Sequence, residues 1–332
     1  MHTNPDVKII PLRCGGGLFA GKSHDACEVN AHGPIRLEYI QLKPGLFLSQ
    51  GSLIVLPNVM IGTGSCSVAH SCHGMVLPDC LCFYGVISCS TQCNLGRVQL
   101  APSSLVVTEP NSMLDVHTAG PTASFGIAIR PELWLETASY LGEDGTLAAA
   151  MRSRVAQLTE MELRQVLANI DWLVGALENY PEAIETNAIR HYVEVGLITG
   201  LVLAMARIGK GAAKSLPPFK QSLVVRQVRE YAWEMLAQPI TLADLCRVTG
   251  LKARQLQTVF QMQTGLSPLH YIKAQRLREA RRLLRQTHCH SVTEAAMQFG
   301  FWHMAQFAVD YRRMFSECPS QTLRKRSLSR AH

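Results

Sequence analysis

The last hundred residues contain one unit written twice, and a duplicated unit restricts the possible folds more than composition does. The first copy runs from Thr241 through Gly250, Leu256 and Phe260 to Gly265 and Pro268. The second runs from Ser291 through Gly300, Phe307 and Tyr311 to Pro319. Gly250 matches Gly300 at an offset of 50, whereas Leu256, Phe260 and Pro268 match Phe307, Tyr311 and Pro319 at 51. One residue is therefore inserted in the second turn.

Each copy carries the parts of two short helices joined by a sharp turn. Thr241 with Asp244, and Ser291 with Glu294, have capping-box spacing. Leu242, Leu245 and Val248 then form one apolar face, as do Val292, Ala295, Ala296 and Phe299. Gly250 and Gly300 stand where the first helix must stop in a left-handed conformation, which glycine adopts without strain. The second helices turn Leu256, Val259 and Phe260, or Phe307, Tyr311 and Phe315, inward. Their opposite faces are polar: Arg254, Gln257, Thr258 and Gln261 in one, His303, Gln306, Asp310 and Arg313 in the other. The spacing predicts two helix-turn-helix units, at 241–262 and 291–315.

Between the copies, Ser267 and Pro268 make a good N-cap and first helical residue. Leu269, Ile272, Leu277, Ala280 and Leu284 keep helical spacing to Gln286. Such a rod is roughly 27 Å long, and it would hold two reading helices about one turn of duplex, roughly 34 Å, apart. Arg276, Arg278, Arg281, Arg282 and Arg285 are expected on its exposed side, where they suit phosphates. An ordinary solvated helix face gives the same pattern.

Charge agrees with this placement. Residues 1–219 hold 14 basic and 18 acidic side chains, and residues 220–332 hold 18 and 7. A basic C-terminal third on a slightly acidic body implies a polyanion partner for that third. With 47% hydrophobic and 17% charged residues the chain is expected to fold rather than stay disordered. No apolar run is long enough to span a bilayer, and Met1 to Asp6 lacks the basic then apolar order of a secretory signal. The expected location is the cytoplasm, with no membrane partner. Eight of the eleven cysteines precede residue 94. An odd number in a reducing compartment reads as buried thiols rather than a disulfide framework.

Residues 1–130 read as short strands: Leu53 to Leu56, Leu81 to Ile87 and Leu105 to Val107 are apolar runs between Gly, Pro, Ser and Asn clusters. After Pro131, helical spacing covers Glu132 to Tyr140, Leu147 to Asn179 with breaks, and Ala183 to Ile208. In the last, Ile189, Val193, Leu197, Leu201 and Met205 form a stripe that is either core or a dimer seam. Gly209 to Pro218 has the composition of a linker. The expected division is a first domain at 1–208, a linker at 209–220 and a basic helix-turn-helix domain at 221–326.

Gly265, Ser267, Pro268 and Tyr271, then Arg276, Leu277 and Ala280, then Ala295-Ala296 through Gly300-Phe301 to Phe307, Tyr311, Phe315 and Pro319 resemble the AraC/XylS family of transcription regulators. The resemblance covers about residues 222–326. The stretch Ala295 to His303, with Gln306, Phe307, Ala308, Pro319, Ser320, Thr322 and Leu323, is similar to family members of the ethanolamine-utilisation type. Val98 to Val107, followed by Pro110 and Asn111, resembles part of the family's cupin-like sensor domain, although the usual turn glycine near Ser103 and Ser104 is missing. The implied fold class is α+β with two domains: a β-rich cupin-like sensor with trailing helices, then an all-α domain with two helix-turn-helix units.

The resemblance implies an effector-responsive regulator, usually an activator, that binds double-stranded DNA in two adjacent major grooves as a homodimer, contacts RNA polymerase and takes a small-molecule effector. The sensing and dimerising role of 1–208, and DNA binding by 221–326, follow from it. A repressor would have the same sequence features. It places base contacts on Arg254, Gln257 and Thr258 in the first unit and on Met304, Ala305, Gln306, Ala308 and Val309 in the second. With their neighbours, the full DNA-facing set is Arg254, Gln257, Thr258, Gln261, His303, Met304, Gln306, Val309, Arg312 and Arg313. Lys252, Arg276 and Arg282 are the expected phosphate contacts. Arg254 suits guanine, and Gln257 or Gln306 suits adenine. Met304, Ala305 and Val309 offer few hydrogen bonds, so the first unit is expected to carry more of the specificity. Trp302 is read as packing at the turn or as a phosphate-side contact. No effector-binding residue is singled out, and nothing calls for a cofactor.

Two other readings stand beside this one. His70, Cys72, His73, Cys80 and Cys82 lie close together, as a cupin-type metal enzyme would need, but without a paired metal-binding spacing. The expectation is no metal and no catalysis. Alternatively, cysteines between 66 and 93 form a disulfide under oxidation, which changes the signal but keeps DNA binding.

Overall fold

A computed structural model describes residues 7–12, 17–26, 37–75, 79–96, 98–108, 113–146, 148, 155–209, 220–286 and 288–328. The front half is built on two antiparallel sheets. The larger has the order β1 (Val7–Pro11), β2 (Gly17–Ser23), β4 (Ser49–Val55), β5 (Val59–Cys66), β12 (Thr122–Ile129), β7 (Leu81–Cys89), β10 (Ser104–Thr108) and β13 (Val155–Gln157). The smaller has the order β3 (Leu37–Gln41), β6 (His70–Met75), β11 (Met113–Thr118), β8 (Cys93–Leu95) and β9 (Val98–Leu100).

The strands alternate their side chains between two environments, as period-two geometry requires. On the larger sheet Ile54, Ile61, Phe83, Phe125 and Ile127 are buried under helices, with Phe83 stacked on Trp134 at 5.1 Å. Those helices are α1 (Pro131–Tyr140), α2 (Glu160–Asn179), the short α3 (Pro181–Ile184) and α4 (Asn187–Gly209). The opposite face meets the smaller sheet through Cys72, Val86, Cys93, Val106 and Val116.

The structure answers the question left by the α4 stripe. Val193, Leu197, Leu201 and Met205 are buried in the chain's own core, so these four do not form a dimer seam; the side chain of Ile189 lies outside the described residues. It also corrects the helical expectation for Leu147 to Asn179. Val155–Gln157 pairs as a strand with β10, and the helix that ends at Asn179 begins at Glu160, capped by Thr159. Ser103 takes φ 65°, so a serine holds the left-handed turn where glycine was missed.

The expected linker at 209–220 lies, apart from its two ends, outside the described residues. Beyond it come α5 (Lys220–Glu234), α6 (Leu242–Thr249), α7 (Ala253–Thr264), α8 (Pro268–Arg285), α9 (Val292–Gln298), α10 (Met304–Phe315) and α11 (Pro319–Leu328). None of the described helices is long and apolar enough to cross a membrane.

Candidate nucleic-acid interface

The first unit is α6 and α7, and the second is α9 and α10. Thr241 accepts from the Asp244 amide at 3.2 Å while the Asp244 carboxylate accepts from the Thr241 amide at 2.9 Å, closing a capping box. In the second copy Ser291 accepts from the Glu294 amide, but the Glu294 carboxylate reaches one residue further back, to the His290 amide at 2.8 Å. Gly250 and Gly300 both sit in the left-handed region, at φ 69° and 75°. The likeness extends beyond the turn. Gly265 ends α7 at φ 70°, and Ser316 ends α10 at φ 59°.

Leu256 and Phe260 are fully buried, as are Phe307 and Tyr311, so each second helix is anchored on its apolar face. The polar faces lie open. Arg254, Gln257, Thr258 and Gln261 are exposed on α7, and His303, Gln306, Val309, Arg312 and Arg313 are exposed on or beside α10. Met304 is half-buried against the second core. Asp310 is held by Lys273 of α8 at 2.5 Å, which ties α10 to the rod. Trp302 is 58% exposed, so it is not packed in its turn.

The rod overturns one expectation. Arg278 and Arg281 are each only 7% exposed, and they face the front half rather than solvent. Arg281 pairs with Asp25 and with Glu317, and lies 4.5 Å over the Phe315 ring. Arg285 pairs with the same Asp25 at 3.0 Å. Arg278 pairs with Glu279 and approaches Glu38 at 3.7 Å. Of the three expected phosphate contacts, Lys252 is exposed and starts α7. Arg282 is 44% exposed but held at 2.7 Å by Glu279. Arg276 is turned inward: its Nη2 donates to the Met235 and Gln238 carbonyls, at 3.0 and 2.5 Å. A guanidinium spent on two carbonyls beside Gly300 ties the end of α5 to the rod at the second unit's turn and is not free for phosphate.

The smaller sheet forms the other side of this contact. Its outward residues dock on the helical part, and sequence reasoning missed all of them. Ile40, Leu42 and Ala69 share a core with Val225, Val228, Phe260 and Tyr271. Arg229 of α5 donates to Asp115 at 2.9 Å, both being buried, and His117 lies 3.4 Å from the same carboxylate. Burial alone would raise the Asp115 carboxyl, but His117, Arg229 and His73 together hold it far below the usual carboxylate range. Glu38 is pulled down to about 2, first by its hydrogen bond from His73. Asn94 donates to the carbonyls of Met262 and Gln263 at the end of α7, both at 3.0 Å. The second helix of the first unit, α7, is thus fixed at its far end by the front half.

The paired units stand as two exposed polar helix faces on one scaffold, the arrangement that reads a duplex. The sequence profile of a helix-turn-helix domain family matches residues 245–325. The chain is 34% identical over 116 residues to the XylDLEGF operon transcriptional activator 2 of Pseudomonas putida, covering 34% of this chain and 70% of that one. The chain belongs to the AraC/XylS family of DNA-binding transcription regulators. A second family relative, the probable thc operon regulatory protein of Rhodococcus erythropolis, is 32% identical over 48% of this chain and 49% of its own length. Against other Pseudomonas putida activators of this kind the match spans 31–41% of their length. A solved structure of a probable AraC family regulator from Rhodopseudomonas palustris is 40% identical over 31% of this chain and 97% of its own, with a TM-score of 0.30.

Among the described residues no group of three metal-ligating side chains converges. His73 is spent on Glu38, and the cysteines at 66, 72, 80, 89 and 93 are free thiols.

Proposed function

We propose that this family member grips one face of a duplex, placing α7 in one major groove and α10 in the next, and that a small effector held by the front half sets its DNA-bound state. The observation that carries the reading is the exposure of Arg254, Gln257, Thr258 and Gln261 on a helix whose other face is fully buried. Arg254 reads guanine and Gln257 adenine, with Lys252 on the backbone. On α10 Gln306 is the amide facing out, beside exposed Val309 and half-buried Met304, with His303, Arg312 and Arg313 at its margins. Arg282 remains a secondary phosphate contact, and Arg276 is withdrawn.

The domain division is 1–208 for sensing and 221–326 for DNA, with 209–220 joining them. The two facing antiparallel sheets support a cupin-like sensor. A homodimer, activation through RNA polymerase and location in the cytoplasm complete the reading, and the subgroup likeness to ethanolamine-utilisation regulators concerns the DNA-binding part alone. The test is selection of bound sequences from a random duplex library, repeated with Arg254→Ala. The expected site has two half-sites about 10 base pairs apart, and the variant relaxes one position by about 1–3 kcal/mol. Selection of no consensus by the unaltered chain would overturn the reading.

A further inference from the structure

A cavity of about 250 Å³ lies between the two sheets of the front half. It exists because side chains are missing where a sandwich would normally fill its centre. Gly21, Gly51 and Gly64 are cross-strand neighbours on β2, β4 and β5, and Gly62 faces Gly126 across β5 and β12. Gly51 is demanded by the backbone, since a Cβ there would meet the Thr63 carbonyl oxygen at 2.2 Å. Gly62, Gly64 and Gly126 are not. None has positive φ, and a Cβ on each would make only ordinary contacts at 3.6–3.9 Å. Glycine weakens a strand interior, and where the backbone does not require it, it marks close approach by something else.

The opposite wall is the smaller sheet. Leu37, Tyr39, His70, Cys72, Leu114 and Val116 line the cavity, while the residues between them meet the DNA-binding half. His70 is 6% exposed. Its Nδ1 lies 3.0 Å from the Val68 carbonyl, which can only accept, and 3.0 Å from the Thr118 hydroxyl; with the Nδ1 proton directed to Val68, Nε2 is a bare acceptor. Nε2 has no hydrogen-bond partner among the described residues, although the ring lines the cavity. A hydrogen bond from a ligand donor to this cavity-facing nitrogen would favour the bound state.

The wall is also uncharged. Among its described residues Lys22 is the one permanently charged side chain, and it is exposed. Burial pushes His70 down to about 4 and raises Cys72 to about 12 and Cys66 to about 11, so all three are neutral near pH 7. A charged molecule would meet no counter-ion in that wall except Lys22 at its exposed margin, and would pay a large desolvation cost between the sheets. An apolar cavity of about 150 Å³ takes benzene, so this one has room for a ring with a short substituent.

We propose that the cavity binds an uncharged, mainly apolar, single-ring molecule that donates a hydrogen bond to His70 Nε2. The proposal rests on reading the front half as the effector sensor, and it narrows the effector class to neutral compounds.

The test is calorimetric titration of the full chain with p-cresol, toluene, 4-methylbenzoate and 4-methylbenzylamine, four rings of similar size. p-Cresol is expected to fill one site per chain, at least about tenfold more tightly than either ion. His70→Phe brings p-cresol down to the affinity of toluene. Gly126→Leu and Gly62→Leu fill the space and abolish binding, with unchanged circular dichroism as the check on folding; Gly64→Ala is a milder filling and weakens binding. Ions binding as well as p-cresol, no binding of p-cresol, or unaltered binding in the folded glycine variants would each overturn the proposal. Affinity for a selected duplex, measured on the same preparations, separates the two claims. DNA binding without p-cresol binding removes the cavity site alone, and the reverse removes the DNA reading alone.

Discussion

Arg229 and Asp115 meet inside the molecule, on helix α5 and strand β11, and neither charge has water to fall back on. Removing one partner of such a pair strands the other, at a cost of about 3–5 kcal/mol, whereas removing both is far less costly. Arg229→Met is therefore expected to lower unfolding free energy in chemical denaturation by that amount, and the double variant with Asp115→Leu to recover most of it. Additive losses would show that the two residues are not coupled. His70 gives a pH signature of its own. Its folded value is about 4, below the ordinary 6.5, so the unfolded chain takes up the proton first. The stability this group confers is complete above pH 6.5 and is lost as pH falls from there towards 4, on the order of 3 kcal/mol. His117 adds to the shift by repulsion. His70→Phe should flatten the fall in melting temperature across that window; an unchanged slope would contradict the account.

At the scale of elements, the two turn glycines do different work. Gly250 has open space around its missing Cβ, so only its φ of 69° demands glycine. Gly300 has φ 75°, and its Cβ would also crowd Arg276 Nη1 at 3.0 Å and the Leu236 carbonyl at 3.1 Å. Gly250→Ala is expected to cost about 1–2 kcal/mol through conformation alone, and Gly300→Ala to cost more in thermal unfolding. Equal losses would contradict that distinction. The same contrast explains what could be read beforehand. Caps, turn glycines and the Leu256 and Phe307 faces were legible because each depends on residues within a few positions. The partners of the rod arginines were not: Asp25 precedes Arg281 by 256 residues, and an arginine-rich helix looks alike whether it faces phosphate or protein. Val155–Gln157 was hidden for a similar reason, since three residues carry no period and only pairing with β10 makes them a strand. The cavity glycines are spread from Gly21 to Gly126 and become neighbours only through strand register.

For the whole molecule, the smaller sheet is a partition one strand thick. Along β3, β6 and β11, alternate side chains line the cavity or touch the helices that carry the proposed DNA-reading face. A ligand that shifts this sheet has a direct route to Arg229, Tyr271 and the end of α7, and its effect on DNA affinity can be no larger than its differential affinity for the two arrangements. The central claim is that both polar helix faces engage one side of a duplex together. Hydroxyl-radical footprinting of the full chain on a selected site tests this most directly. Two protected patches about one helical turn apart on the same face are expected, with Arg254→Ala weakening only the one that α7 covers. A single patch, or two on opposite faces, would contradict it.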